Sequence, residues 1–379
     1  MARLYKDVDL TADSLGVDAR AYRRLMKPLA HRWQTLADEF LQPMLHFPQH
    51  PITLARFGIA AICPATFLAK FLFKHEPARA LFAGIAAHSF LPLEEPVSSA
   101  FALVLGMAGH AVGWPIPRGG SQQITNALAD YLRELGGSIE VNCRVETLKQ
   151  LPKSRAVLLD ISVWEFLRIT GQQLPAGYCR RLRSFRHAPG IFKIDYALSE
   201  PIPWTAEACC RAGTIHLGGG IDDIAAAERE VARGTIPERP FVLVAQQSLF
   251  DSTRAPRGQH TLWAYCHVPF DCNIDMSDRI ESQIERFAPG FRDCILARHT
   301  MTATDLARSN SNLAGGDING GAANLMQLIA RPILSPTPYR TPLPGIYLCS
   351  ASTPPGGGVH GMCGYHAAQV ALREIFAKH

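Results

Sequence analysis

The C-terminal stretch constrains this chain most. Gly345-Ile-Tyr-Leu-Cys-Ser350 has a short buried-strand pattern, Ser352 to Gly364 is rich in glycine, and Tyr365 to Lys378 reads as a closing helix with Ala367, Ala368, Val370, Ala371, Leu372 and Ile375. Strand, glycine loop and helix in that order build an α/β sheet and bring the loop to the helix start. Gly356-Gly-Gly358-Val-His-Gly361 fits GxGxxG, where glycine lets the backbone approach a ligand and the first N–H groups of the helix favour an anionic or electron-rich partner. Only 18 residues follow Gly361, with no second strand and no acidic residue about 20 positions on. It is not a complete dinucleotide-binding unit, and the pattern suits a cofactor loop and a structural turn alike.

The rest of the chain divides by texture. In residues 1–112 apolar positions recur at helical spacing, as in Leu25, Leu29, Trp33, Leu36 and Phe40 between Asp18 and Leu41, and strand patterning is absent, so this part reads as a helical module. Residues 113–165 open on a Gly/Pro loop, continue as a helix through Ile124, Leu128, Tyr131, Leu132 and Leu135 to Gly136-Gly137, and hold two expected strands, Ser138–Leu148 and Arg155–Ser162. Residues 166–298 give extended runs at Gly190–Leu198, Pro240–Ser248 and His260–Val268 and one helix at Ser277–Phe287, the pattern of a mixed or antiparallel sheet. Residues 299–379 complete the chain. The expected fold class is α/β, an α and β mixture.

Composition excludes several function classes. With 38 Lys+Arg against 33 Asp+Glu the net charge of +5 is too small for a nucleic-acid footprint, and no nucleic-acid partner is expected. The ten cysteines lack a CxxC pair and read as reduced, mostly buried thiols. The first ten residues hold four charges and no apolar run, so they are no secretory signal, and a cytoplasmic location is expected. The uncharged runs of 13 residues after Arg56 and 22 after Glu95 are too short or too diluted to span a bilayer. They read as buried helix, with a surface that meets lipid or an oily substrate as the alternative. His46 and His50 have i,i+4 spacing, but the prolines around them and the want of a third ligand argue against a metal site. Arg180, Arg181, Arg183 and Arg186 read as a solvated face or an anion-binding patch, and Ser121 as a loop or cap residue.

Four blocks in order resemble the phytoene-desaturase-like FAD-dependent oxidoreductases. They are Gly113-Trp-Pro-Ile-Pro-Arg-Gly-Gly-Ser-Gln-Gln-Ile-Thr-Asn-Ala-Leu-Ala129; Gly136-Gly-Ser-Ile-Glu-Val-Asn-Cys-Arg-Val145 with Ala156-Val-Leu-Leu-Asp160; Gly315-Gly-Asp-Ile-Asn-Gly-Gly321; and the segment from Gly345 to Ala368. The resemblance implies an incomplete, Rossmann-like FAD-binding domain interrupted by a helical and mixed-sheet substrate domain. FAD would be the cofactor, and hydride would leave an apolar isoprenoid, carotenoid or lipid-like small molecule. It implies cofactor contacts at Gly119, Gly120, Val145, Ser352, Gly357, Gly358, Gly361 and Met362. Asp317 becomes a polar group beside the flavin, with an Asx-turn role as the alternative, while His360 and His366 are proton carriers or capping residues.

The family opens with a strand, GxGxxG and helix, and no such unit precedes Gly113. The resemblance therefore implies a shortened, flavin-poor chain, or a subunit that needs a partner chain or second copy to complete the FAD site. Peripheral membrane contact goes with the oily substrate.

Overall fold

A computed structural model describes residues 1–376. The N-terminal module is seven helices, α1 (Val8–Ser14), α2 (Ala19–His31), α3 (Trp33–Phe40), α4 (Pro51–Ala61), α5 (Ala65–Leu72), α6 (Glu76–Ala86) and α7 (Ser98–Ala111). The helix expected over 18–41 is two helices: α2 continues through Pro28, and the chain leaves helical geometry at Arg32. Central α7 buries Ala102, Leu103 and Met107, and a Cβ on Gly106 would stand 2.8 Å from Met26, so glycine there lets α2 lie close. Burial of this kind, about 1.5–3 kcal/mol per large apolar side chain, holds the module together.

Next come α8 (Gln122–Glu134), β1 (Val157–Leu159), α9 (Val163–Thr170) and α10 (Ala176–Arg183), which carries Arg180, Arg181 and Arg183 exposed. Ser121 sits at the α8 N-cap without a capping side-chain bond. The strand expected at Ser138–Leu148 does not form: that segment is irregular and exposed up to a short turn at Leu148–Gln150 capped by Thr147, and the second expected strand shrinks to β1. A strand needs a neighbour to pair with, and among the described residues 138–148 have none.

The largest sheet is antiparallel, in the order β3-β4-β5-β2-β6, from β2 (Gly190–Leu198), β3 (Thr214–Leu217), β4 (Val242–Ala245), β5 (His260–Val268) and β6 (Ile295–Met301). Helix α11 (Ile221–Ala232) follows β3 and α12 (Ser277–Glu285) follows β5. Alternation along β2 and β5 sends Phe192, Ile194, Tyr196, Leu262, Ala264 and Cys266 to one face, where Ile280 and Ile284 of α12 cover them. The opposite face gathers Ile191, Leu243 and Tyr265 against Phe90 and against Leu306 of α13 (Ala303–Ser309). After α14 (Leu325–Ile329), β7 (Ile346–Leu348) pairs in parallel with β1, Val157 opposite Ile346, and the chain returns through α15 (Met362–Ala371). That helix starts three residues before its expected Tyr365; Lys378, its expected end, lies outside the described residues. The architecture is the α/β class expected from sequence. All ten cysteines are free, but only Cys266, Cys294 and Cys363 are buried, and Cys143 and Cys210 are exposed.

A cluster of buried histidines joins the helical module to the sheet. His88, just after α6, and His216 of β3 place their Nε2 atoms 3.1 Å apart. His267 of β5 donates from Nδ1 to Glu228 of α11 at 2.8 Å and packs tilted against Phe90, centroids 3.8 Å apart. Burial, and then the neighbouring histidines, push His88 well below the ordinary imidazole range and His216 down to about 4. A base with a depressed folded pKa stays neutral in the fold while the unfolded chain takes up its proton first. Stability is therefore full above pH 6.5 and falls as the pH drops toward 4. Urea melts across that window should show the loss, and His216→Gln should remove about 3 kcal/mol of it; superimposable acid limbs in the two proteins would contradict the assignment.

Candidate functional site

The residues singled out near the C-terminus meet where two glycine loops touch. Gly315-Gly-Asp-Ile-Asn-Gly-Gly321 lies against residues 351–357, and two glycines set the distance. A Cβ on Gly320 would stand 2.7 Å from that of Ala351, and one on Gly357 would stand 2.8 Å from the Asn319 carbonyl oxygen. Ser352 Oγ donates to the Gly320 carbonyl at 3.0 Å, which closes the junction.

Buried Arg331 ties the two loops together. Its Nε donates to the Ala351 carbonyl (2.9 Å), Nη1 to Ala322 (3.2 Å), and Nη2 to Asn319, Gly320 and Gly321 (3.1, 2.9 and 3.3 Å). Gln327 of α14 adds a second brace, donating to the Arg186 and Ala322 carbonyls and accepting from the Arg186 N–H.

Asp317 is buried and fully engaged. Oδ1 accepts from the Asn319 N–H at 2.8 Å, the Asx turn expected from the loop composition, while Oδ2 accepts from the Ala188 N–H (3.0 Å) and from His187 Nδ1 (3.2 Å). Both oxygens are thus engaged by N–H groups, and Oδ2 holds the His187 ring in place. Because Nδ1–H points at the carboxylate, the lone pair of His187 lies on Nε2, which is buried and has no partner. Trp164 (centroid 4.7 Å), Phe185 (5.6 Å) and Phe270 (5.7 Å) surround the ring, and Trp164 and Phe270 reach the surface. The result is an imidazole nitrogen enclosed by aromatic rings. His187 and Arg331 carried no local sequence signal: each is defined by partners far along the chain.

Beyond the junction the loop reaches solvent. Gly357, Gly358 and Gly361 are exposed, Val359 is 91% exposed, and nothing lies within 4 Å of a Cβ built on Gly361, whose φ is +67°. The Met362 N–H donates to His360 Nδ1 at 3.0 Å, so His360 caps α15, and burial lowers its pKa. His366 bonds the Leu41 carbonyl through Nε2 at 2.9 Å, a packing role. The thiols beside the loop are inert: burial pushes Cys349 up to about 12 and raises Cys363.

The remaining sequence-derived residues have other neighbours. The Gly119 N–H donates to Asp251 Oδ2 at 2.6 Å and the Arg254 guanidinium fills the space beside Gly120, so this turn is clamped to the 251–254 turn ahead of β5. Val145 is half-buried in the irregular segment before β1. No described contact brings Gly119, Gly120 or Val145 to the C-terminal loop.

Removing the Asp317 carboxylate leaves two buried backbone N–H groups and His187 without their acceptor. Asp317→Ala should lower unfolding free energy by about 2–4 kcal/mol in urea denaturation; a loss below about 0.5 kcal/mol would contradict the network described.

Known proteins place this geometry in context. The chain is 26% identical over 419 aligned residues to pyridine nucleotide-disulfide oxidoreductase domain-containing protein 2 of Mus musculus, covering 99% of this chain and 71% of that protein, and 27% identical over 418 residues to the Rattus norvegicus protein of the same name, with the same coverage. A shorter match, 30% over 132 residues, links 33% of the chain to 26% of the 4,4'-diapolycopen-4-al dehydrogenase of Metabacillus indicus. No family model matches the chain. Among solved structures, an oxidoreductase from Methanosarcina mazei superposes with a TM-score of 0.57 at 16% identity, over 89% of this chain and 75% of its own. A putrescine oxidase variant gives 0.58 at 15%, over 96% and 76%. The chain is thus similar along its whole length to pyridine nucleotide-disulfide oxidoreductase domain proteins, and its fold is that of solved oxidoreductases, putrescine oxidase among them.

Proposed function

We propose that this chain is an FAD-dependent oxidoreductase of the phytoene-desaturase-like type, removing hydride from an apolar, isoprenoid-, carotenoid- or lipid-like small molecule. The observation that carries the reading is the exposed glycine loop at the start of α15, braced from behind by Gly320, Ser352 and Arg331. Its residues fit the ring end of a flavin: open space beside Gly361, close backbone approach at Gly357 and Gly358, and a helix N-terminus that favours the negative charge of a reduced ring. FAD, when bound, supplies the hydride acceptor. The chain supplies orientation through the loop and Met362, charge stabilisation through α15, and at His187 Nε2 a site able to take a proton. The dehydrogenase match, though it covers a third of the chain, supports a polyene-like substrate over a polar one. The neighbouring core agrees with it: the sheet face beside Ala188 buries Phe90, Ile191, Leu243 and Tyr265, and the carboxylates Glu228 and Asp317 are already engaged by N–H groups. Neither of these two carboxylates is free to pair with a cationic amine.

A specific observation favours a second reading, in which a partner chain completes the flavin site. Helix α8 presents Ile124, Leu128, Tyr131 and Leu132 to solvent, with Leu135 exposed at its C-cap, and buries none of its residues, and β1 has a strand neighbour on one side only among the described residues. An amphipathic helix without a core and a parallel sheet of two strands form the surface that a further strand-and-helix unit would cover.

Titration with FAD, read by absorbance and flavin fluorescence, tests both readings. The chain should perturb the flavin spectrum. Met362→Glu, which suits the helix start but sets a carboxylate where the ring charge would lie, should weaken binding about tenfold or more without lowering the melting temperature. No spectral change at any flavin concentration would overturn the first reading. A lone chain, by native mass spectrometry, that holds one FAD through dialysis would overturn the second.

A further inference from the structure

The chain turns through 95° between α4 and α5, and each arm keeps one stripe outside the core. On α4, Phe57 and Ala61 face inward while Ile52 and Ile59 stand 70% and 73% exposed; on α5, Leu68 and Ala69 face inward while Phe67 and Phe71 stand 58% and 74% exposed, their rings stacked at 6.0 Å. Phe47, in the preceding loop, is 98% exposed. Scattered apolar residues need no explanation, but stripes on consecutive helices do.

The charge pattern names the partner. From Gln42 to His75 there is no Asp or Glu, and the fixed charges are the exposed cations Arg56, Lys70 and Lys74. The acidic groups that face this region come from other elements: Asp222 accepts from Lys70 Nζ at 2.6 Å, Glu94 pairs with Arg229, Glu76 takes the Ile221 N–H, Asp18 takes the Lys74 and His75 N–H groups, Glu39 holds His46, and Glu95 is exposed beside Glu94. Arg56 and the Lys74 ammonium are left to solvent-side partners. Among the described residues no single helix is long and apolar enough to cross a membrane. The two arms, about 16 and 12 Å long at 1.5 Å per residue, fall short of a hydrocarbon core of about 30 Å. A bent, cationic, Phe/Ile-rich pair of short helices is suited to lie in the headgroup layer, with its rings among the acyl chains and its cations at phosphate level.

We propose that α4 and α5 form a docking surface for an anionic lipid bilayer. The test is co-sedimentation of the full chain with vesicles of phosphatidylcholine alone or with about a third phosphatidylglycerol. The chain should bind the anionic vesicles about tenfold or more tightly and lose that preference as salt rises. Phe67→Ser with Phe71→Ser should weaken binding about tenfold or more, and Arg56→Gln with Lys74→Gln should abolish the anionic preference, both without a change in melting temperature, since these side chains are exposed. Absence of binding to either vesicle, or binding indifferent to the phenylalanine pair, would overturn the proposal. So would a vesicle-free oligomer that the phenylalanine pair dissolves, which would assign the surface to a second copy.

Discussion

A buried guanidinium without a hydrogen-bonded carboxylate is the constraint on which the C-terminal site depends. Burial pulls Arg331 down to about 10, Asp317 pulls the other way, and the group remains charged at neutral pH. Such a charge is tolerable only if its N–H groups are met, and here the acceptors are carbonyls of Asn319, Gly320, Gly321, Ala322 and Ala351. Each charge-assisted bond contributes about 1.5–3 kcal/mol against that desolvation. Their geometric effect matters more: one planar side chain fixes two loops that are distant in sequence. Gly320 and Gly357 can then approach, and the exposed turn from Gly357 to Gly361 has a rigid back.

How much of this was legible in the sequence follows from how local each signal is. The extended runs at 190–198 and 260–268 reappear as β2 and β5 with the same bounds, because alternation is written into each strand by itself. The helix ending at Gly136 was equally readable. The expected strand at 138–148 failed because pairing is a property of the neighbour, which no local pattern supplies. Arg331 and His187 were invisible for the same reason: a lone Arg before a proline and a lone His between Arg186 and Ala188 acquire meaning only through separate loops, 9 to 20 residues away for Arg331 and 130 for His187. Asp317 was legible as a loop residue, but that three N–H groups occupy its oxygens was not.

The two exposed apolar surfaces look alike in composition and differ in what surrounds them. Around α8, Asp130, Arg133 and Glu134 mix both signs, and beside it lie an irregular segment and the one-sided β1, a surface suited to polypeptide rather than lipid. Around α4 and α5 the carboxylates are absent from the segment itself, and the helices are already packed on one side against α6 and α7. Unpaired backbone calls for another backbone; an apolar stripe fringed by cations and lacking any strand edge does not.

That difference bears on the chemistry. The sheet face beside Ala188 is a buried apolar cluster, and burial holds His88 and His216 below the ordinary imidazole range, so on the reading proposed above a substrate packed there would meet hydrocarbon and aromatic rings before any charge. A molecule suited to that lining is poorly soluble in water and resides in membranes. An enzyme that takes it from the bilayer avoids moving it through water, which for a long polyene would cost about 0.8 kcal/mol for each exposed carbon unit. If both proposals hold, surface and site answer one physical problem, and each constrains the other: a polar substrate would leave the α4–α5 stripe without a purpose, and a chain indifferent to lipid would weaken the case for an oily one.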